Sequence, residues 1–385
     1  MRKTIAKNCT WNRRRVDETA FNVQAIMSSK FADGGVTVPE GNVYGLHRVL
    51  EPVGVMPQAA WKIDNDMTCY DNEIRIEVET LNIDSASFYQ IKQDADNDET
   101  RVGQIMQKIV RDRGKHHNPV TGSGGMLVGR VAEIGSRLKD RVNVQVGDRI
   151  ATLVSLSLTP LQIRQIKRID MKNGQVDIEG QAILFETGIF AKMPDDIPDR
   201  VALAVFDVCG APAQTAKLVK PGQSVVILGS GGKSGMTVLR QARLSAGEGR
   251  VVAVEYGEAA CNRVRALGWA DVVLNLDATK PAAVYQAVLE ALNGELADVV
   301  INCVNVPNTE MSSILCAKDL GTVYFFSMAT SFTAAALGAE GVGKDVQMVI
   351  GNGYCHGHAE HALQLLRDTP ELLEMFASKF VEQIH

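Results

Sequence analysis

The chain has no pair of cysteines at CxxC spacing and no apolar run long enough to cross a bilayer. Its seven cysteines, Cys9, Cys69, Cys209, Cys261, Cys303, Cys316 and Cys355, are scattered and odd in number. That excludes a disulfide framework and a structural zinc ribbon, and most of them stand in apolar surroundings as small core residues. Charge of one sign is lacking too: 40 Lys and Arg against 45 Asp and Glu leave a net −5. Neither nucleic acid nor an anionic membrane is an expected partner. The first residues carry Arg13-Arg14-Arg15 but not the apolar core of a secretory signal, and Asp17 and Glu18 follow at once. A bacterial-type cytoplasmic enzyme is the expectation. At 385 residues there is room for two domains.

The most informative stretch is Ser224-Val225-Val226-Ile227-Leu228-Gly229-Ser230-Gly231-Gly232-Lys233-Ser234-Gly235. It opens as a short apolar run suited to a parallel strand buried on both faces, then breaks into glycines. A helical pattern follows through Met236, Val238, Leu239 and Ala242. Strand, glycine turn and helix in this order begin a dinucleotide-binding unit: glycine lets backbone approach a pyrophosphate, and the helix start holds its charge. A second run, Val251 to Val254, ends on Glu255, placed to bond a ribose 2′-OH. A nucleotide-triphosphate loop is the rival, because Gly232-Lys233-Ser234 looks like its tail; it needs a glycine where Ile227 stands. Lys233 could reach a cofactor phosphate. Further contacts are expected at strand ends, Asn302-Cys303-Val304 and Ser327-Met328. Glu255 favours NAD, while Tyr256 and Arg263 leave NADP open.

The first seventy residues are irregular, with turns at Asp33-Gly34-Gly35 and Val38-Pro39-Glu40-Gly41. Glu73 to Glu79 alternates as a half-buried strand does. Asn82 to Phe88 gathers small polar groups, and 94–113 reads as a charged insertion with a solvated helix. His116-His117 is read as solvated as well. Asn173-Gly174 marks a hairpin between two strands. The first half is thus mostly antiparallel, and near Pro194 the pattern turns to strand–helix alternation. Val346 to Ile350 is one more strand, at an edge where a second subunit could pair. A helix from His358 would return the chain to the first domain.

This order of parts resembles the medium-chain dehydrogenase/reductase superfamily, on Glu73–Ser87, Gly129-Arg130-Val131-Ala132-Glu133-Ile134-Gly135, Val146-Gly147-Asp148-Arg149 and Gly229–Gly235. The resemblance implies an α/β fold: a Rossmann doubly wound parallel sheet plus a GroES-like, mostly antiparallel β catalytic domain. It places the catalytic domain at 1–196, the dinucleotide domain at 197–350 and a returning helical segment at 351–385. It also implies a homodimer. Zinc-dependent members carry Cys where Asp84 stands and Gly-His-Glu where Gly124-Gly125-Met126 stands; only Cys209 matches a ligand. One ligand of three cannot hold the ion, so no metal is expected.

Tyr44 to Pro52, Asn82 to Phe88, Ser157-Leu158-Thr159-Pro160-Leu161, Val208-Cys209-Gly210-Ala211-Pro212 and Gly351-Asn352-Gly353-Tyr354 are less generic. On them the chain is similar to the zinc-free family that oxidises L-erythro-3,5-diaminohexanoate in anaerobic lysine fermentation. That implies NAD(P)-dependent oxidative deamination of a small diamino acid. A zinc-free quinone or enoyl reductase of the same superfamily is the alternative. A substrate with two ammonium groups and one carboxylate calls for carboxylates, a cation and a base. Asp84 and Asp207 are the candidate carboxylates; capping or turn roles compete for both. Ser85 and Ser87 could orient the substrate or relay a proton, and His358 could form a polar cleft wall. His358 and His361 share a helix face without completing a metal site. Arg48, Arg130 and Lys115 are all candidates for the carboxylate.

Overall fold

The structure, a computed structural model, describes residues 39–351 and 353–380. Cys9, Arg13–Arg15, Asp17, Glu18, the Asp33-Gly34-Gly35 turn, Val38 and Asn352 lie outside the described residues.

A short 3₁₀ turn leads into β1 (Val49–Glu51), which pairs antiparallel with β2 (Lys62–Ile63). Then come β3 (Glu73–Asn82), α1 (Ser85–Asp94), α2 (Glu99–Arg113), β4 (Met126–Ile134), β5 (Arg149–Thr152), β6 (Leu161–Ile169), β7 (Gln175–Phe185) and β8 (Phe190–Lys192). The last six strands form one antiparallel sheet, ordered β6-β7-β3-β4-β5-β8. The alternation read along β3 is real: Ile74, Ile76 and Val78 are buried while Arg75 and Glu77 are partly exposed. The Asn173-Gly174 hairpin joins β6 to β7, with Gly174 at φ +74°.

α2 departs from the expectation of a solvated insertion. Its Val102, Met106, Ile109 and Val110 face inward and pack in the same apolar cluster as β3 and β7, with Ile166 of β6 partly buried against it. Apart from the buried Arg113, the charged residues of α2 occupy the exposed face, so a high charge count hid an amphipathic helix. Gly114 then turns the chain in a left-handed conformation, φ +73°, with Ile63 O so close that a Cβ would lie 2.0 Å from it.

The second half opens with two helices and then alternates: α3 (Asp199–Phe206), α4 (Gly210–Leu218), β9 (Val225–Leu228), α5 (Lys233–Ala246), β10 (Val251–Glu255), α6 (Glu258–Leu267), β11 (Val272–Asn275), α7 (Pro281–Ala291), β12 (Ala297–Asn302), α8 (Glu310–Cys316), β13 (Ala317–Phe325), α9 (Phe332–Gly341) and β14 (Gln347–Ile350). These strands form an all-parallel sheet ordered β11-β10-β9-β12-β13-β14. Its order reverses between β9 and β12, the switch point beside which such sheets bind ligands. All four residues of β9 are fully buried, which is why it reads as an unbroken apolar run. β14 is the edge strand. α10 (His358–Arg367) and α11 (Pro370–Phe380) pack on α3, α4 and α5.

The two sheets share one apolar cluster. Met126 and Ala151 from the antiparallel sheet pack with Phe206, Cys209, Ile227 and Leu363. Charges reinforce the join: Arg149 bonds both Glu79 of β3 (2.9 Å) and Asp199 of α3 (2.6 Å). Arg200 of α3 donates to Gln175 Oε1 at 2.8 Å, and Arg367 of α10 donates to Asp196 at 2.7 Å.

Candidate active site

The glycine turn sits at the sheet's switch point. Gly229 takes φ +76°, and a Cβ there would lie 3.0 Å from Val304, at the end of β12. A Cβ on Gly235 would lie 2.0 Å from Gly229 O, so the turn closes only with glycine at that position. Gly231 N–H donates to Glu255 Oε2 at 2.5 Å, and Glu255 Oε1 accepts from Tyr256 N at 3.0 Å. Glu255 is therefore folded over the turn from the end of β10. Gly232 is the N-cap of α5 and brings no side chain to its first N–H groups, which leaves the helix start able to receive an anion. A turn with glycine at 229, 231 and 232, a helix dipole and a carboxylate one strand away fit a dinucleotide.

Lys233 Nζ donates to Asp207 Oδ2 at 2.7 Å rather than standing alone at the turn. Asp207 is not an N-cap: α3 runs through Phe206 and Asp207 closes its C-terminal end, while Cys209 precedes α4 without a capping bond. The ion pair ties the end of α3 to the start of α5. Ser230 is buried, and burial pushes the pKa of the Cys303 thiol up to about 12. Asn302 is committed to its own loop: Nδ2 donates to Thr309 Oγ1 and Ser313 Oγ, both at 2.9 Å, and Oδ1 accepts from Val304 N at 2.9 Å. Ser327 Oγ donates to Asn305 Oδ1 at 3.1 Å, while Met328 and Tyr256 are exposed.

A second polar corner lies at the head of α1. Asp84 caps the helix through Oδ1, which accepts from Ser87 N at 2.9 Å; Oδ2 is buried and has no partner. Ser85 is exposed in the first turn. The buried Ser87 hydroxyl lies 2.5 Å from Thr121 Oγ1 and 2.8 Å from Ser123 Oγ, on the glycine-rich segment 119–125. The solvated reading of His116-His117 fails. His116 is 0 % exposed; neither ring nitrogen makes a well-aligned hydrogen bond, and the backbone of Gly124 and of His116 itself lies beside the ring. Burial pushes its pKa down to about 4, against the opposing pull of the Asp84 carboxylate. His117 is half-buried beside Arg113 Nη2, 3.2 Å away; burial and the Lys115 and Arg113 charges bring it to about 4. The inward turn at Gly114, invisible in a run of polar letters, puts both there.

Of the candidate cations, Arg48 is consumed: it is fully buried, donates to Glu73 at 2.6 and 2.8 Å, and also bonds Asp66 O and Thr68 O. Arg130 pairs with Glu79 at 3.0 Å on an exposed face. Lys115 is buried, donating to Pro57 O at 2.6 Å and Gln58 O at 3.2 Å, with its pKa pushed down to about 7 by burial and then by Arg113.

His358 lies on the segment that packs against Gly210, three residues past Asp207. It opens α10 where that helix packs on α4, stacks edge-on to Tyr354 at 5.0 Å, and burial lowers its pKa. His361 Nε2 lies 2.8 Å from Gln241 Oε1. Among the described residues no three His, Cys, Asp or Glu side chains gather as metal ligands. The Cys209 thiol donates to Phe206 O at 3.0 Å, and burial raises its pKa strongly. What relates the two corners is Met126, which pairs with Asn82 beside Asp84 and packs in one cluster with Phe206 and Cys209, either side of Asp207.

Solved structures share this architecture. A mycobacterial protein complexed with NADPH aligns over 83 % of this chain and 85 % of its own, at 17 % identity and a TM-score of 0.51. A Pseudomonas syringae quinone oxidoreductase aligns over 84 % and 85 %, at 18 % identity and 0.50. These likenesses show a shared fold, an antiparallel sheet joined to a doubly wound parallel sheet with a glycine turn at its switch point. Residues 47–194 match the family described as the L-erythro-3,5-diaminohexanoate dehydrogenase N-terminal domain. The curated L-erythro-3,5-diaminohexanoate dehydrogenase of Acetoanaerobium sticklandii is 54 % identical over 343 residues, 89 % of this chain and 100 % of that enzyme. That of Fusobacterium nucleatum is 54 % identical over 338 residues, 88 % and 98 % of the two chains. The chain belongs to the L-erythro-3,5-diaminohexanoate dehydrogenase family.

Proposed function

We propose that this chain catalyses NAD(P)-dependent oxidative deamination of L-erythro-3,5-diaminohexanoate to 5-amino-3-oxohexanoate and ammonium, in anaerobic lysine degradation. Family membership over nearly the whole length of its relatives carries the reaction. The bound nicotinamide supplies the hydride acceptor for the C3–H electron pair. The reacting ammonium loses a proton as the C3=N bond forms; water then adds to C3, and the C–N bond breaks to release ammonium.

The chain's own groups divide this work. Residues Gly229 to Gly235 seat the pyrophosphate, and Glu255 bonds the ribose. Because a 2′-phosphate would meet that carboxylate, NAD is the favoured form over NADP. Asp84 offers an unpartnered carboxylate oxygen to a substrate cation. Asp207, held by Lys233, links cofactor seating to the opposite wall of the site. Ser87, joined to Thr121 and Ser123, is a hydroxyl chain along which a proton can leave, with Ser85 at its solvent side. None of the three candidate cations stands open to the substrate carboxylate: Arg48 is spent on Glu73, Lys115 on Pro57 O and Gln58 O, and Arg130 pairs with Glu79 on an outward face. The antiparallel sheet serves as the catalytic half and the parallel sheet as the cofactor half, with 351–385 bracing α3 to α5. His358 belongs to that brace.

We also infer a cytoplasmic homodimer paired through the β14 edge, where Ile350 is exposed. No described helix is long and apolar enough to cross a membrane. The polar corner speaks against a quinone or enoyl reductase, which needs an apolar cleft. The test offers 3,5-diaminohexanoate, quinones and enones in turn and follows nicotinamide absorbance. Signal with the diamino acid is expected; signal with quinones alone would overturn the reading.

A further inference from the structure

A buried imidazole with both nitrogens unbonded is rare in a folded protein and calls for an explanation. His116 comes close to this: no side chain and no well-aligned backbone group bonds its ring, which has only the backbone of Gly124 and of His116 itself beside it, and Asp84 Oδ2 is a buried atom without a partner whose charge acts on the same ring. The enclosure is made of backbone. A Cβ on Gly125 would lie 2.1 Å from Asn82 O, and one on Gly124 would lie 2.5 Å from His116 O. Segment 119–125 is thus threaded between the residues leading into Asp84 and His116 itself, at positions where only glycine fits. Its outer side is exposed at Val120, and Ser87 ties it down through the hydroxyls of Thr121 and Ser123, bonds that water can replace.

A carboxylate and an imidazole that stays neutral at pH 7 both accept hydrogen bonds. Together they suit a cation with several N–H donors. A metal would need a third ligand, and none of the described His, Cys, Asp or Glu side chains supplies one. We propose that Asp84 and His116 form the subsite that receives an ammonium group of the substrate, with segment 119–125 as its cover. This rests on the diamino-acid reading given above. His116 then acts as a substrate-binding residue that polar sequence context concealed.

Two full-length variants test it. His116→Leu fills the space without an acceptor; His116→Gln restores one. The expected result for leucine is a KM for 3,5-diaminohexanoate raised roughly 10- to 150-fold, the worth of a buried hydrogen bond to a charge. The dinucleotide Kd should stay within about twofold, and Tm should equal or exceed that of the native chain, since an unbonded polar group has been removed. Glutamine should recover part of the KM. An unchanged KM, as expected if the pair merely holds a water molecule, overturns the subsite. So does a leucine variant with lowered Tm and weakened dinucleotide binding, which marks a structural histidine. Calorimetry with 1,3-diaminopropane separates the two readings. If the native chain fails to oxidise diaminohexanoate, the function falls, but diamine binding lost in His116→Leu upholds the subsite. If oxidation proceeds and both ligands bind His116→Leu normally, only the subsite falls.

Discussion

At the glycine turn the polar side chains are bonded to the chain itself: Glu255 to Gly231, Lys233 to Asp207, and Asn302 to Thr309 and Ser313. At the head of α1 the opposite holds: Asp84 Oδ2 is buried without a partner, and the buried His116 ring has no side-chain partner and no well-aligned hydrogen bond. The first corner binds through backbone geometry and a helix dipole, so its side chains are free to brace the cradle. The second has its side chains left for a ligand, at a cost of roughly 1–3 kcal/mol for each unbonded group. On the function proposed above, preformed shape would serve the constant partner, the dinucleotide, and unsatisfied chemistry the substrate.

The sharpest way to break the first corner is Gly235→Val. With a Cβ 2.0 Å from Gly229 O, the turn must open. Dinucleotide affinity should fall by about 100-fold or more with a lowered Tm, as for other substitutions that force a strained backbone; titration of the coenzyme and a melting curve read both. The second corner should show itself in acid. His116 has a folded pKa of about 4, below its ordinary 6.5, so the unfolded chain takes up the proton first as pH falls. Its stability contribution is complete above pH 6.5 and is lost down to pH 4, about 3 kcal/mol at the limit. His116→Leu should remove that part of the acid sensitivity in denaturant titrations run across the window.

Asp84→Asn keeps a good cap for α1 but removes the charge, so kcat/KM should fall about 100-fold with little change in Tm. Steady-state kinetics beside calorimetry would expose a purely structural aspartate. Glu255→Ser should relax coenzyme choice, improving NADP relative to NAD by about tenfold; a ratio that stays put removes Glu255 from the ribose. Smallest is Arg149→Met, which cuts partly exposed pairs to Glu79 and Asp199 and should cost about 1 kcal/mol of unfolding free energy.

The glycine turn and Glu255 were legible in sequence because their geometry is local: a buried strand, a turn that tolerates no Cβ, and a helix start lie within 20 or so residues. The antiparallel half was legible through β3 and the Asn173-Gly174 hairpin for the same reason. His116 was not. Its burial comes from Gly114 packing on Ile63 and Gly124 packing on Ser157, contacts between segments far apart in the chain. That Arg48 is bonded to Glu73 has no local signal, because the two stand 25 residues apart. α2 was misjudged because charge dominates its composition while its spacing, Val102 to Ile109, carries the packing face. His358 sits on a helix whose docking on α4 no local pattern announces.

Met126 belongs at once to the strand that pairs with Asn82 and to the cluster containing Phe206 and Cys209. The molecule therefore cannot be treated as interchangeable cassettes. A graft that brought a new substrate pocket with a differently sized residue at 126 would disturb the ground on which Asp207 and Lys233 stand, so any redesign of specificity here has to recut both sides of that seam together.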